Sequence, residues 1–309
     1  MRTDIPAEYY DQDDSTNVCY LCGNPRYVEH YRVTHFDFPF VFQQCQTCGL
    51  IKQTPMPNEA FFDWFFNSDV FFSSKKTGKG YIWGYYDYFA DEPYRLATSQ
   101  WRFKRLRTWF DQKGQPLDIM KIGPATGTML HVAKQQGHRV LGCDVSNRFA
   151  EYARTTYGVE IEHGRFEQKG YDGQFDMVLL FNVIENVPNQ VEFLEAVRRA
   201  LKDDGLFIFN YVNMWNNLVA TLQKSKYFIY RPPICYAYTR PVMEQIMDKF
   251  GFDILATYRD IRVMDVQKIV TLLGWQWALR LSQALHINRV AFPVYAYPSQ
   301  IVVARKISP

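Results

Sequence analysis

Long apolar runs are missing from this sequence. No stretch approaches the roughly 18 uncharged apolar residues that cross a membrane as a helix. Residues 1–14 are polar and acidic and lack the apolar core of an export signal, so a cytoplasmic protein is expected. Charge of one sign is lacking too. With 35 Lys and Arg against 32 Asp and Glu, the net charge is only +3, which neither demands nor excludes an anionic partner. Internal repeats at solenoid spacing and low-complexity tracts are absent, which excludes an array of stacked units. Cysteine is sparse: of six, four form two close pairs, Cys19/Cys22 and Cys45/Cys48. In a reducing compartment such pairs indicate metal binding rather than disulfides.

What is present suits a folded protein of ordinary core size. The chain has 309 residues and is 47% hydrophobic, enough for one large α/β domain and a small satellite. Its 24 Phe, 21 Tyr and 7 Trp are enough to fill a core and also line a site for rings. Three zones emerge. Residues 1–57 hold a loose polar leader, up to about residue 15, and the cysteine pairs, closed by Pro55 and Pro57. Residues 58–113 are aromatic-rich and read largely helical, as a linker or lid. Residues 114–309 alternate strand and helix: strands at 117–122, 139–144, 159–162, 175–181, 206–211, 252–258 and 300–305, and helices at 128–136, 147–157, 190–201 and 241–250. That alternation predicts right-handed βαβ units and a doubly wound α/β sheet.

Cys19-Tyr-Leu-Cys22-Gly23 and Cys45-Gln-Thr-Cys48-Gly49 are matching knuckles. Two residues between cysteines let both thiolates meet one ion, and the following glycine permits the tight turn. Residues 23–44 between them can form a hairpin with Val41-Phe42 in the returning arm. Four thiolates fill a tetrahedron, so Cys19, Cys22, Cys45 and Cys48 are expected to hold a structural Zn2+ in a zinc-ribbon-like module.

Gly123-Pro124-Ala125-Thr126-Gly127 follows a strand and opens a helix. Glycines there admit a ligand close to the backbone, and the helix start offers free amides. The next strand ends in Asp144, placed to accept hydrogen bonds from two ribose hydroxyls.

Together, IGPATG at 122–127, GCDVS at 142–146, FDMVLLFNVIENVPN at 175–189 and LKDDGLFIFNYVN at 201–213 resemble the class I S-adenosylmethionine (SAM) dependent methyltransferases. The cysteine knuckles followed by Pro55-Met56-Pro57 resemble the zinc-binding prefix of bacterial members that serve sugar and secondary-metabolite pathways. The resemblance implies a seven-stranded Rossmann-like sheet with SAM across its carboxyl edge. It implies Gly123, Ala125 and Gly127 under the methionyl and ribose parts, and Asp144 on the ribose. It also implies Val145 against adenine, Phe166 at the adenine edge and Asn182 near the sulfonium. The sequence departs from the family pattern at Lys121, where an acid is usual, and at Arg165 and Asn186, in place of an acid and a histidine.

Methyl transfer to a hydroxyl or carbon needs alignment and proton removal. Tyr211, Tyr236 and Tyr238, on or after the fifth core strand, are the first candidates for the base. Residues 61–89, interrupted by the polar run 73–80, suit either a lid or a packed core. The basic helix at 94–110 suits a solvated face, so nucleic acid is not an expected partner; the apolar helix at 266–285 could cover the substrate site, form a dimer face or rest on a membrane surface, with packing within the fold the leading expectation. The function expected is methylation of a small molecule, at a hydroxyl or carbon of a sugar or natural product. The alternatives are an RNA methyltransferase and a catalytically silent methyltransferase-like subunit. Whether the chain forms a homo-oligomer or serves a partner subunit is left open.

Overall fold

The computed structural model describes residues 7–11, 18–35, 38–73, 87–113, 116–214, 228–231, 233–273 and 275–307. Two N-terminal sheets come first in the chain. Strand β1 (Tyr10–Asp11) pairs with β5 (Met56–Pro57), while β2 (Tyr27–His35), β3 (Phe38–Cys45) and β4 (Ile51–Thr54) form an antiparallel meander. The leader is therefore pinned near its middle, because Tyr10 is buried against Phe40 and Phe61.

The main sheet is built from β6 (Asp118–Ile122), β7 (Arg139–Asp144), β8 (Ile161–His163), β9 (Phe175–Leu180) and β10 (Leu201–Val212). After β11 (Tyr236–Ala237), which lies elsewhere, β12 (Phe252–Asp265) and β13 (Ala291–Lys306) complete it. Its order is β12-β13-β10-β9-β6-β7-β8, with β13 antiparallel to β10 and the five strands from β10 to β8 parallel. This is a doubly wound, seven-stranded Rossmann-like sheet, as the methyltransferase resemblance implies. Parallel strands need crossovers, and the intervening amphipathic segments supply them as helices Thr128–Gln135, Asn147–Tyr157 and Gln190–Ala200. Asn189 starts the last of these by accepting from the Glu192 amide, and Gly158 ends the second in a left-handed conformation.

Both sheet faces are covered. Helix Glu92–Gln112 lays Phe103, Leu106 and Phe110 against Ile119, Met177, Leu179 and Ile208. The other face, under helices Gln190–Ala200 and Arg240–Lys249, is continuous with the N-terminal core. That continuity has a backbone counterpart, since β11 pairs with β4 through Tyr236↔Lys52 and Ala237↔Ile51. The cysteine module thus shares a sheet and a core with the C-terminal half.

Two expectations are corrected. The last two strands are much longer than 252–258 and 300–305, running as one hairpin from Phe252↔Lys306 to Asp265↔Ala291 and past the end of β10. The apolar segment at 266–285 is two helices, Val266–Leu273 and Gln276–Ala284, at the tip of that hairpin. The expected polar run at 74–80 and the aromatics Tyr81, Trp83, Tyr85 and Tyr86 lie outside the described residues.

Candidate active site

The turn between β6 and its helix is shaped by a need for space. Gly123 has φ +57°, and a Cβ there would fall 2.5 Å from Val183 Cγ2. Gly127 has φ +85°, and a Cβ would meet Ala153 Cβ at 2.9 Å. Ala125 also sits at positive φ, 53°. Its amide donates to Asp144 Oδ2 at 3.1 Å, and the Ser146 amide donates to Oδ1 at 2.9 Å. Asp144 thus staples the tip of β7 to the turn. Two of its roughly four lone-pair positions remain unspent. Burial pushes its pKa up to about 6, against the pull of the Ser146 and Ala125 amides and the Lys121 charge. Ser146 Oγ beside it is fully buried and has no hydrogen-bond partner among the described residues. An unpaired buried hydroxyl costs about 1–3 kcal/mol, so this spot is suited to a polar ligand.

Lys121, in the place of the usual acid, is buried in β6. Its Nζ donates to the carbonyls of Ile122 (2.7 Å) and Gly123 (3.1 Å) and lies 5.5 Å from the Phe181 ring centre. Burial, aided by the Arg102 charge, brings its pKa down to about 7. The lysine clamps the turn from beneath.

Asn182, just past β9, has φ 58° and sits at the exposed end of a polar relay, buried around Asp260, that sequence reasoning missed. Arg102 makes a two-point ion pair with Asp260 at 3.0 and 2.7 Å. An ionised carboxylate only accepts, so Asn210, bonded to Asp260 at 2.9 Å, must turn its Nδ2 toward it. The Asn210 amide then donates to Asn182 Oδ1 (3.1 Å) and accepts from the Asn182 backbone amide (2.6 Å). Arg262 also donates to Asn182 Oδ1, at 2.7 Å. With Oδ1 engaged by two donors, the orientation of the Asn182 amide is set. One signal was visible beforehand: Asn210 is a lone polar residue within the apolar strand Leu206-Phe207-Ile208-Phe209.

The aromatic segment lies against the loop that follows β7. Asn67 donates to the Val145 carbonyl at 3.1 Å and accepts from the Asn147 amide at 3.2 Å. Arg148 reaches Asp69 at 3.1 Å and covers the Phe72 ring. Arg165 pairs with Asp63 and Glu59 on helix Glu59–Phe65. A cluster of Phe72, Tyr88 and Phe149 packs against Ala125 of the turn. This segment thus touches the chain on both sides of the expected adenine position, at Val145 and at Arg165. The Phe166 ring is buried against Tyr171 and Phe193.

Tyr211, Tyr236 and Tyr238 were expected as bases. All three are buried, and their hydroxyls donate to Gln300 Oε1, the Pro188 carbonyl and the Ile184 carbonyl. Burial pushes each phenol above its ordinary range. Each hydroxyl thus ties its ring to the surrounding core. Glu185 is likewise buried. Its carboxylate accepts from the Val212 amide at 2.8 Å and its carbonyl from the Cys235 amide at 2.7 Å, which ties three segments together. Asn186 donates to the Pro233 carbonyl at 2.7 Å, in place of the family's histidine.

Away from this site, the Sγ atoms of Cys19, Cys22, Cys45 and Cys48 lie within 4.8 Å of one another, with Cys19···Cys48 and Cys22···Cys45 at 3.5 Å. A tetrahedral Zn2+ with bonds near 2.3 Å sets its sulfurs about 3.8 Å apart. Gly23 and Gly49 carry φ +73° and +80° and close the knuckles by donating to the carbonyls of Cys19 and Cys45.

A family model described as a methyltransferase domain matches residues 90–257, over half of the chain, and the chain belongs to that family. Ubiquinone biosynthesis O-methyltransferase of Roseobacter denitrificans is 30% identical over 103 residues, 31% of this chain and 42% of that protein. A Mycolicibacterium smegmatis protein named as a SAM-dependent methyltransferase is 28% identical over 98 residues, 31% of this chain and 38% of its own length. The chain thus spans less than half the length of these curated relatives. Among solved structures, magnesium protoporphyrin IX methyltransferase from Synechocystis, with bound S-adenosylhomocysteine, superposes with a TM-score of 0.47 at 16% identity, over 74% of this chain and 90% of that one. A SAM-dependent methyltransferase from Archaeoglobus fulgidus gives 0.46 at 16% identity, over 71% of this chain and 99% of that one.

Proposed function

We propose that the chain transfers a methyl group from SAM to a small molecule, at a hydroxyl or carbon of a sugar or natural product. The observation that carries this reading is Asp144, a buried carboxylate with unspent lone pairs stapled to a glycine turn, in a chain of the methyltransferase-domain family. Gly123, Ala125 and Gly127 would form the floor under the methionyl and ribose parts. Asp144 would accept from the ribose hydroxyls, and Val145 would back the adenine. When bound, SAM supplies an activated methyl carbon on a sulfonium. Asn182, its Oδ1 already engaged, presents its Nδ2 as a donor, which suits an acceptor that arrives as an oxygen lone pair. The Roseobacter relative, named for O-methylation, is consistent with an oxygen acceptor. The aromatic segment would shield the reacting atoms from water. Zinc at the four cysteines would brace the N-terminal sheet and take no part in the chemistry.

A second reading, a methyltransferase-like subunit without turnover, draws on Lys121, a buried cation in the place of an acid. Calorimetric titration of the protein with SAM and with S-adenosylhomocysteine separates the two. Saturable binding of both supports the enzyme, and no heat from either supports the silent subunit.

A further inference from the structure

The hairpin β12–β13 carries an uncommon surface at its outer end. Among the described residues, nine of the thirteen exposed large hydrophobic side chains fall within residues 275–297. Trp277 is 68% and Leu285 58% exposed, and Trp275, Leu281, Val290 and Phe292 join them. The two indoles stack with ring centres 6.5 Å apart, so they form one block rather than scattered contacts. Isolated exposed apolar residues are ordinary, but a cluster confined to one projecting tip marks a docking surface.

Charge indicates what docks there. Residues 266–297 contain Lys268, Arg280 and Arg289 and neither Asp nor Glu. Lys268 bonds to Asp91, and Arg289 lies 3.6 Å from Asp265 at the base of the tip, which leaves Arg280 exposed on the tip helix itself. Nearer the base of the hairpin, Trp101 and Arg105 of helix Glu92–Gln112 and Arg259 of β12 line a shallow surface depression. Arg105 lies over the Tyr258 ring and Arg259 over the Tyr295 ring, so both guanidinium groups are held at the surface on aromatic supports. Short helices bearing Trp and Leu on one side, with arginines near and no acids, are the physical pattern of segments that lie in a bilayer interface. Indole rings favour the boundary between headgroup and acyl chain, and arginines meet lipid phosphate. Among the described residues, no helix is long and apolar enough to cross a membrane.

We infer that the tip of the β12–β13 hairpin docks on an anionic lipid surface, with Trp275, Trp277, Leu281 and Leu285 entering the interface and Arg280, Arg105 and Arg259 meeting headgroup phosphates. This inference does not depend on the methyl-transfer reading.

The test is co-sedimentation of the full chain with phosphatidylcholine vesicles, with and without phosphatidylglycerol. A Trp277→Glu, Leu281→Glu double variant is run alongside. Both positions are exposed, so circular dichroism and the thermal midpoint should match those of the unaltered protein. The expected result is binding to phosphatidylglycerol vesicles that weakens with salt and falls at least about tenfold in the double variant. Absence of vesicle binding by the unaltered protein, or equal binding by the variant, overturns the inference. So does a self-association in sedimentation equilibrium that the double variant abolishes without any vesicle binding, because the tip would then join two copies of the chain.

Discussion

Single residues do two jobs at the turn. A carboxylate at the end of the second core strand is easily taken for a pure ligand contact, yet Asp144 also accepts the amides of Ala125 and Ser146. Asp144→Ala is therefore expected to lower SAM affinity by about tenfold to a hundredfold, from the loss of charge-assisted bonds of roughly 1.5–3 kcal/mol. It should also cost about 1–3 kcal/mol of stability, because two amides lose their acceptor. Calorimetry and denaturant unfolding check the two effects separately. Asp260 makes a sharper case. It is wholly buried and compensates Arg102, so Asp260→Ala leaves an unpaired buried charge and should cost about 3–5 kcal/mol in urea unfolding. Arg262→Met removes one donor from Asn182 at a half-exposed position. It should leave the thermal midpoint nearly unchanged while lowering turnover more than SAM affinity.

At the scale of elements, the cysteine module and the main sheet stand or fall together. Because β11 pairs with β4 and the core runs through both, loss of the metal is expected to be felt beyond residues 18–57. Metal analysis of the purified protein should give one zinc per chain. Chelation, or Cys45→Ser, should lower the thermal midpoint of the whole protein in one transition. A zinc-free protein of unchanged midpoint would contradict this. Helix Glu92–Gln112 offers a parallel check: Leu106 is fully buried against the sheet, and Leu106→Ala should cost about 2–5 kcal/mol. These elements were also the legible ones. Paired cysteines, a glycine turn and short apolar strands announce themselves by local spacing, and strand 139–144 and helix 147–157 match their expected bounds. The long hairpin was hidden because Arg259, Asp260 and Arg262 interrupt its apolar alternation. The relay was hidden because Arg102, Asn210 and Asp260 meet only after folding.

For the whole molecule, the account rests on one placement: the ribose of the cofactor on Asp144. The free carboxylate titrates near pH 6 because it is buried, with Lys121 and His163 as the charged groups facing it. Ribose hydroxyls donate more strongly to its ionised form, so binding favours loss of the proton and affinity falls as pH drops below that value. The direct measurement is the affinity for S-adenosylhomocysteine between pH 7 and pH 5. That ligand lacks the sulfonium charge that a protonated Lys121 would repel, and comparison with Asp144→Asn separates Asp144 from Lys121, which itself titrates near 7. The account predicts a decrease of about tenfold across this range, from a carboxylate titrating near 6, and a flattened profile in Asp144→Asn. An affinity that stays level from pH 7 to pH 5 in the unaltered protein, or a slope that persists in Asp144→Asn, would contradict it.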